Sequence, residues 1–116
     1  MQLFVYGTLK RGGRWFPHYL LDSPFIGHMS VHGLKLFDTN QNYPIAVKTD
    51  DPKDVIHGEV YEINGDIKRR LDMLEQGYTL VEITPKVYSY VRTKLDPREV
   101  KSYDMTPIES GMYKVA

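Results

Sequence analysis

The chain has 116 residues, 41% hydrophobic and 26% charged, and its 15 basic and 15 acidic side chains leave zero formal net charge. That length suits one domain, residues 1–116, and the composition is that of a globular chain rather than a disordered one. Balanced charge gives no reason to expect nucleic acid or an anionic membrane as a partner, and the absence of cysteine excludes a disulfide scaffold, thiolate chemistry and cysteine-based zinc sites. No window approaches the roughly 20 apolar residues that cross a bilayer. The N-terminus has no charged segment followed by a long apolar run, so no secretory signal and a cytoplasmic location are expected.

Leu3, Phe4, Val5 and Tyr6 read as a short buried strand that ends abruptly in Gly7. Thr8, Leu9, Lys10, Arg11, Gly12 and Gly13 follow as a loop that brings backbone N–H groups to the end of a sheet. It is either a plain turn or a place where a ligand lies against the backbone. The lysine and hydroxyl of a phosphate-binding loop are missing after Gly12, and no dinucleotide fingerprint is present, so nucleotide binding is rejected. Lys10 and Arg11 either attract an anionic substrate or are exposed loop cations. Tyr6 either points its hydroxyl into a pocket or fills the core.

Further on, a short helix is expected from about Pro17 to Leu21, broken by Ser23-Pro24. Phe25 to Phe37 suits one bent strand or a pair, kinked at Gly27 and Gly33, and Tyr43 to Val47 another. Val55 to Ile63 alternates as a strand. Asn64 is placed as a helix N-cap, and Ile67, Leu71, Leu74 and Tyr78 form one apolar stripe closed by Gly77. Leu80 to Val91 reads as a strand interrupted by Pro85. Leu95 to Glu99 reads as a hairpin connection, Val100 to Met105 as a last strand and Thr106 to Ala116 as an extended tail. Many short strands with one main helix and short flanking helices give an α+β class with a strongly bent or closed sheet.

Glu75 stands out chemically. It lies at the flank of the apolar stripe, in the helix's last turn, where partial burial and the helix dipole both raise a carboxyl pKa. A proton-transferring carboxyl needs that adjustment near neutral pH; the alternative is a surface glutamate. Asp72 lies further round the helix and is expected to be solvated or paired, and Lys68, Arg69 and Arg70 to form a solvated face. His28 and His32 are four apart, about 13 Å along a strand, and no third ligand suggests itself, so no metal is expected. No Gly-x-Ser-x-Gly elbow supports a serine hydrolase.

Four segments, VYGTLKRG (Val5 to Gly12), HGEVYEI (His57 to Ile63), LDMLEQGY (Leu71 to Tyr78) and IESGMY (Ile108 to Tyr113), resemble the gamma-glutamylcyclotransferase-like family in order and across nearly the whole chain. The resemblance implies a small mixed β-barrel with helices against it, and Glu75 at the position of the family's general acid/base carboxylate. It implies intramolecular acyl transfer on a γ-glutamyl-amine or γ-glutamyl-peptide, releasing 5-oxoproline and an amine without a cofactor. Tyr6, Gly7, Thr8 and Leu9 would bind the substrate. The family's tyrosine and following arginine beyond the carboxylate are absent from Thr79-Leu80-Val81-Glu82-Ile83, and Met112-Tyr113 replaces its Asp-Trp-like tail. The missing tyrosine and arginine allow a non-catalytic small-ligand-binding module of the same fold, and a third reading treats the tyrosine-rich surface as a partner interface. Oligomeric state is not legible.

Overall fold

The computed structural model describes residues 1–115; Ala116, the end of the expected tail, lies outside them. Strands β1 (Gln2–Val5), β2 (Phe25–His32), β5 (Val55–Glu62), β6 (Thr79–Thr84) and β7 (Val87–Val91) form a sheet in the order β2-β5-β1-β7-β6. Strands β3 (Leu34–Asp38), β4 (Pro44–Lys48) and β8 (Thr106–Pro107) form a second sheet, β4-β3-β8. Among the described residues three helices complete the order: α1 (Phe16–Tyr19), α2 (Gly65–Leu74) and α3 (Pro97–Tyr103).

The expected α+β class holds, but the sheets do not close into a barrel. Among the described residues the outer strands β2 and β6 of the larger sheet do not pair with each other, and the smaller sheet bridges to it in parallel at one point, Val47 to Arg92. The stretch Phe25 to Phe37 divides at Gly33, whose φ of +81° turns the chain from one sheet into the other. Leu80 to Val91 is the β6–β7 hairpin, with Pro85 in its turn.

Period-two alternation in β1 explains the layering. Phe4 and, just past the strand, Tyr6 face the smaller sheet, in a core with Leu36, Ala46, Ile56, Val60 and Val91. Leu3 and Val5 face the helices, in a core with Leu20, Tyr61, Ile63 and Leu71. Helix α2 starts as expected: the Asn64 Oδ1 accepts from the Ile67 N–H at 2.9 Å. Its regular part ends at Leu74, and Gly77 (φ +92°) takes the left-handed turn into β6.

One element corrects the sequence reading. Leu95 to Met105 is not a hairpin connection and strand but the site of α3, because Asp96 caps it by accepting from the Arg98 N–H (2.9 Å) and Pro97 supplies a pre-set first turn. Val100 and Tyr103, three apart, then pack beside Ile45, Val47 and Met105.

The close seating of β1 on β5 gives a test. A Cβ at Gly58 would lie 2.3 Å from the Val5 carbonyl oxygen and 2.8 Å from the Phe4 ring, whereas one at Gly27 meets nothing within 4 Å. Gly58→Ala should therefore cost about 2 kcal/mol or more in urea unfolding, and Gly27→Ala less than about 0.5 kcal/mol. Equal costs would show that β1 and β5 are not seated this closely.

Candidate active site

Strand β7 carries different partners along its length. Its start pairs in parallel with β1, through Gln2 to Val87 and Leu3 to Tyr88. Beyond its end, the Arg92 N–H donates to the Ala46 carbonyl (2.8 Å), and the Lys48 N–H donates to the Arg92 carbonyl (2.9 Å). So β1 stops and β4 starts beside the same strand. The gap between them opens a cavity of about 270 Å³. Its wall includes Tyr6, Gly7, Thr8 and Leu9 on one side and Leu74, Glu75, Gln76 and Tyr78 on the other, although the two segments are far apart in sequence.

The opening loop is a tight turn. Its amides of Lys10, Gly13 and Trp15 donate to the carbonyls of Gly7, Lys10 and Thr8 at 3.0, 2.7 and 3.0 Å. The N–H groups of Gly7, Thr8 and Leu9 have no backbone acceptor in the loop among the described residues. A Cβ on Gly7 would lie 2.7 and 2.8 Å from Cγ and Cδ of Pro44, so the ring of Pro44 already demands glycine there, before any ligand does. Tyr6 both fills the core and borders the cavity, its hydroxyl donating to the Tyr90 carbonyl at 2.6 Å. Burial, first of all, holds that phenol well above its ordinary pKa.

Glu75 caps α2, its N–H donating to the Leu71 carbonyl at 2.8 Å. Its carboxyl is half-buried against the cavity and has no hydrogen-bond partner among the described residues. Burial pushes its pKa up to about 7. Asp72, one turn earlier, is treated oppositely. It accepts from Lys68 Nζ at 2.7 Å and from the Tyr90 hydroxyl at 2.5 Å, and those bonds hold its carboxyl below the usual range. Environment thus gives two carboxyls on one helix different protonation near neutrality.

The loop cations go elsewhere. Lys10 is not exposed but buried, its Nζ donating to the Tyr113 carbonyl at 2.7 Å, and burial lowers its pKa. Arg11 is exposed; its N–H binds Glu59 (2.9 Å) and its guanidinium lies 5.4 Å over Phe25. Neither borders the cavity. Its cations are Arg14 and Arg92, neither singled out from the sequence, and Arg92 lies 4.8 Å over the Tyr78 ring while its Nη1 donates to Glu99 at 2.8 Å. The only sequence signal for Arg92 is a cation directly after the buried run of β7. His28 meets the Phe25 ring edge-on (centroids 5.3 Å apart) and His32 binds the Pro52 carbonyl (2.9 Å), so the two histidines serve different neighbours.

With this geometry in hand, comparison with known proteins places the chain in a class. The description "Gamma-glutamyl cyclotransferase, AIG2-like" matches residues 3–115, and the chain belongs to that family, which includes gamma-glutamyl cyclotransferases. The crystal structure of protein PH0828 from Pyrococcus horikoshii is similar at 27% identity and a TM-score of 0.75, over 97% of this chain and 88% of that one. The solution structure of ytfP from Escherichia coli is 30% identical with a TM-score of 0.66, over 97% and 95%. An AIG2-like protein from mouse shares the fold at 24% identity and a TM-score of 0.70, over 85% and 81%. No curated protein matches.

Glu75's raised pKa has a signed consequence for stability. Its folded value of about 7 exceeds the model-compound value of 4.5, so its contribution is fully present below about pH 4.5 and lost as pH rises through about 7. Relative to Glu75→Gln, the native protein should lose up to about 3 kcal/mol of unfolding free energy between pH 4.5 and pH 8.5. Urea titrations of both proteins across that range check this; parallel curves would mean the carboxyl is solvated.

Proposed function

We propose that the protein catalyses intramolecular acyl transfer on a γ-glutamyl compound, with Glu75 as proton shuttle and the Gly7–Leu9 amides as the anion site. The observation that carries this reading is a partly buried, unpartnered carboxyl with a pKa near 7 across one cavity from a turn with unused N–H groups. Family membership supports the same reaction class.

The reaction needs no protein nucleophile, because the substrate's α-amine is tethered to its γ-carbonyl. Glu75 takes a proton from the α-ammonium, and the freed nitrogen attacks the γ-carbonyl carbon. The developing oxyanion or the α-carboxylate is held by the N–H groups of Gly7, Thr8 and Leu9, which are fixed in the turn beforehand. As the bond to the leaving nitrogen breaks, Glu75 returns its proton there, and the lactam nitrogen gives up its second proton along the same route. The products are 5-oxoproline and a free amine. A pKa near the working pH lets one carboxyl accept and donate in turn.

A non-catalytic binding module is the second reading, favoured by one observation: Thr79-Leu80-Val81-Glu82-Ile83 contains neither the tyrosine nor the arginine that the resemblance calls for. Incubation with a panel of γ-glutamyl amines and peptides separates the two. The first reading expects 5-oxoproline, and a Glu75→Gln protein that binds the same ligands with kcat lower by about 10²-fold or more. The native rate should rise with pH through about 7 as Glu75 ionises. Binding without 5-oxoproline would establish the second reading. Thr8→Ala should leave turnover within about threefold, because its contact runs through the backbone N–H.

A further inference from the structure

Lys10 is a buried cation that the proposed reaction leaves unused. It is 6% exposed, and it is not among the residues that line the cavity. A lysine is seldom buried unless its charge meets a partner, and an apolar side chain would fill the same space without that cost. Among the described residues its Nζ has one hydrogen-bond partner, the Tyr113 carbonyl at 2.7 Å. That bond joins the opening turn to the tail across 103 positions of the chain.

At the turn end, the Lys10 N–H closes on the Gly7 carbonyl and the Lys10 carbonyl accepts from the Gly13 N–H. The amides of Thr8 and Leu9 lie within that closure, so a shift of Lys10 moves them. The Leu9 side chain, buried in the core beneath the helices, holds the turn on one side. Lys10 holds it on the other.

At the tail end, the acceptor is placed by both sheets. The Ile108 N–H donates to the Leu36 carbonyl of β3 at 2.8 Å, and the His57 N–H of β5 donates to the Gly111 carbonyl at 2.9 Å. Pairing of β1 with β5 stops at Val5 and Glu59, so the tail takes the place beside β5 that β1 leaves. Gly111 has a φ of +71°, and a Cβ there would lie 2.2 Å from the Val55 carbonyl oxygen. Backbone therefore meets backbone at this seat, two residues before the carbonyl that Lys10 reaches.

We propose that Lys10 is a positioning residue whose bond to the Tyr113 carbonyl holds the Gly7–Leu9 amides in place, so that the seating of the tail on β5 governs anion affinity at the cavity. The ligand chemistry rests on the anion-site reading above; the tether does not.

Titration of 15N-labelled protein with 5-oxoproline, which carries a carboxylate, gives an affinity for the folded molecules alone. Heteronuclear 15N NOEs report the rigidity of the turn. Lys10→Met keeps the bulk of the side chain but loses the donor and the charge. It should weaken 5-oxoproline at least about tenfold and lower the NOEs of Thr8 and Leu9, with those of β5 unchanged. Gly111→Ala should also weaken binding by unseating the tail, and it leaves the Lys10 charge in the protein, which separates position from charge. Because both act through one bond, the double variant should bind within about threefold of the weaker single variant, rather than with the product of the two losses. Unchanged affinity in Lys10→Met, turn NOEs equal to the native ones, or losses that multiply would overturn the proposal. Should Gly111→Ala not fold, affinity and NOEs in Lys10→Met decide it. Native protein that does not bind 5-oxoproline would remove the anion-site reading, and the NOEs of Lys10→Met would then decide the tether alone.

Discussion

Two backbone hydrogen bonds at Arg92, from its N–H to Ala46 and to its carbonyl from Lys48, are the joint between the sheets. They require β4 to take over beside β7 where β1 has stopped, and a sheet that changes partners in this way must leave a gap. Pro44 stands at the start of β4 and Gly7 just past the end of β1, so close that a Cβ on Gly7 could not fit. The cavity is therefore a consequence of strand exchange, much as crevices open at topological switch points in other sheets. Its floor is the end of β1 and its side wall the end of α2.

The same joint decides what can be charged in the cavity. Packing α2 on the outer face of the larger sheet buries Leu71 completely, which brings the helix's last turn against the cavity and carries Glu75 with it. Asp72 points to Lys68 and the Tyr90 hydroxyl and stays ionised; Glu75 meets no such partner and is held near half-protonation at neutral pH. Around it stand Tyr6, Tyr78 and Tyr90, whose phenols burial keeps protonated. Those rings supply apolar wall with polar tips, while Arg92 lies over one of them and pairs with Glu99 on α3. At the other end, Lys10 ties the opening loop to the tail through the Tyr113 carbonyl.

What the sequence disclosed was short in range. The β1 run into glycine, the Asn64 cap and the stripe Ile67-Leu71-Leu74-Tyr78 are local signals, and together they put Glu75 at the edge of a buried face. The α3 error arose because Asp-Pro opens a helix as readily as a turn; the spacing of Val100 and Tyr103 was the signal that decides it. Lys10 was misread because a loop cation is exposed by default, and the carbonyl that buries it lies 103 residues away. Arg92 was missed for a similar reason: its place on the cavity wall follows from a strand pairing that no local pattern encodes. The closed barrel failed on pairing too, since alternation shows which face a strand buries but not whether β2 and β6 meet.

The central claim is that the gap between the opening loop and the end of α2 is the ligand site. A titration of 15N-labelled protein with 5-oxoproline, followed by amide chemical shifts, tests it without reference to turnover. The account predicts that the largest shifts fall on the amides of Gly7, Thr8 and Leu9 and on Glu75 to Tyr78, with the edge strand β2 unmoved. Shifts concentrated on β2 or on the exposed face of α2, with the opening loop silent, would contradict it.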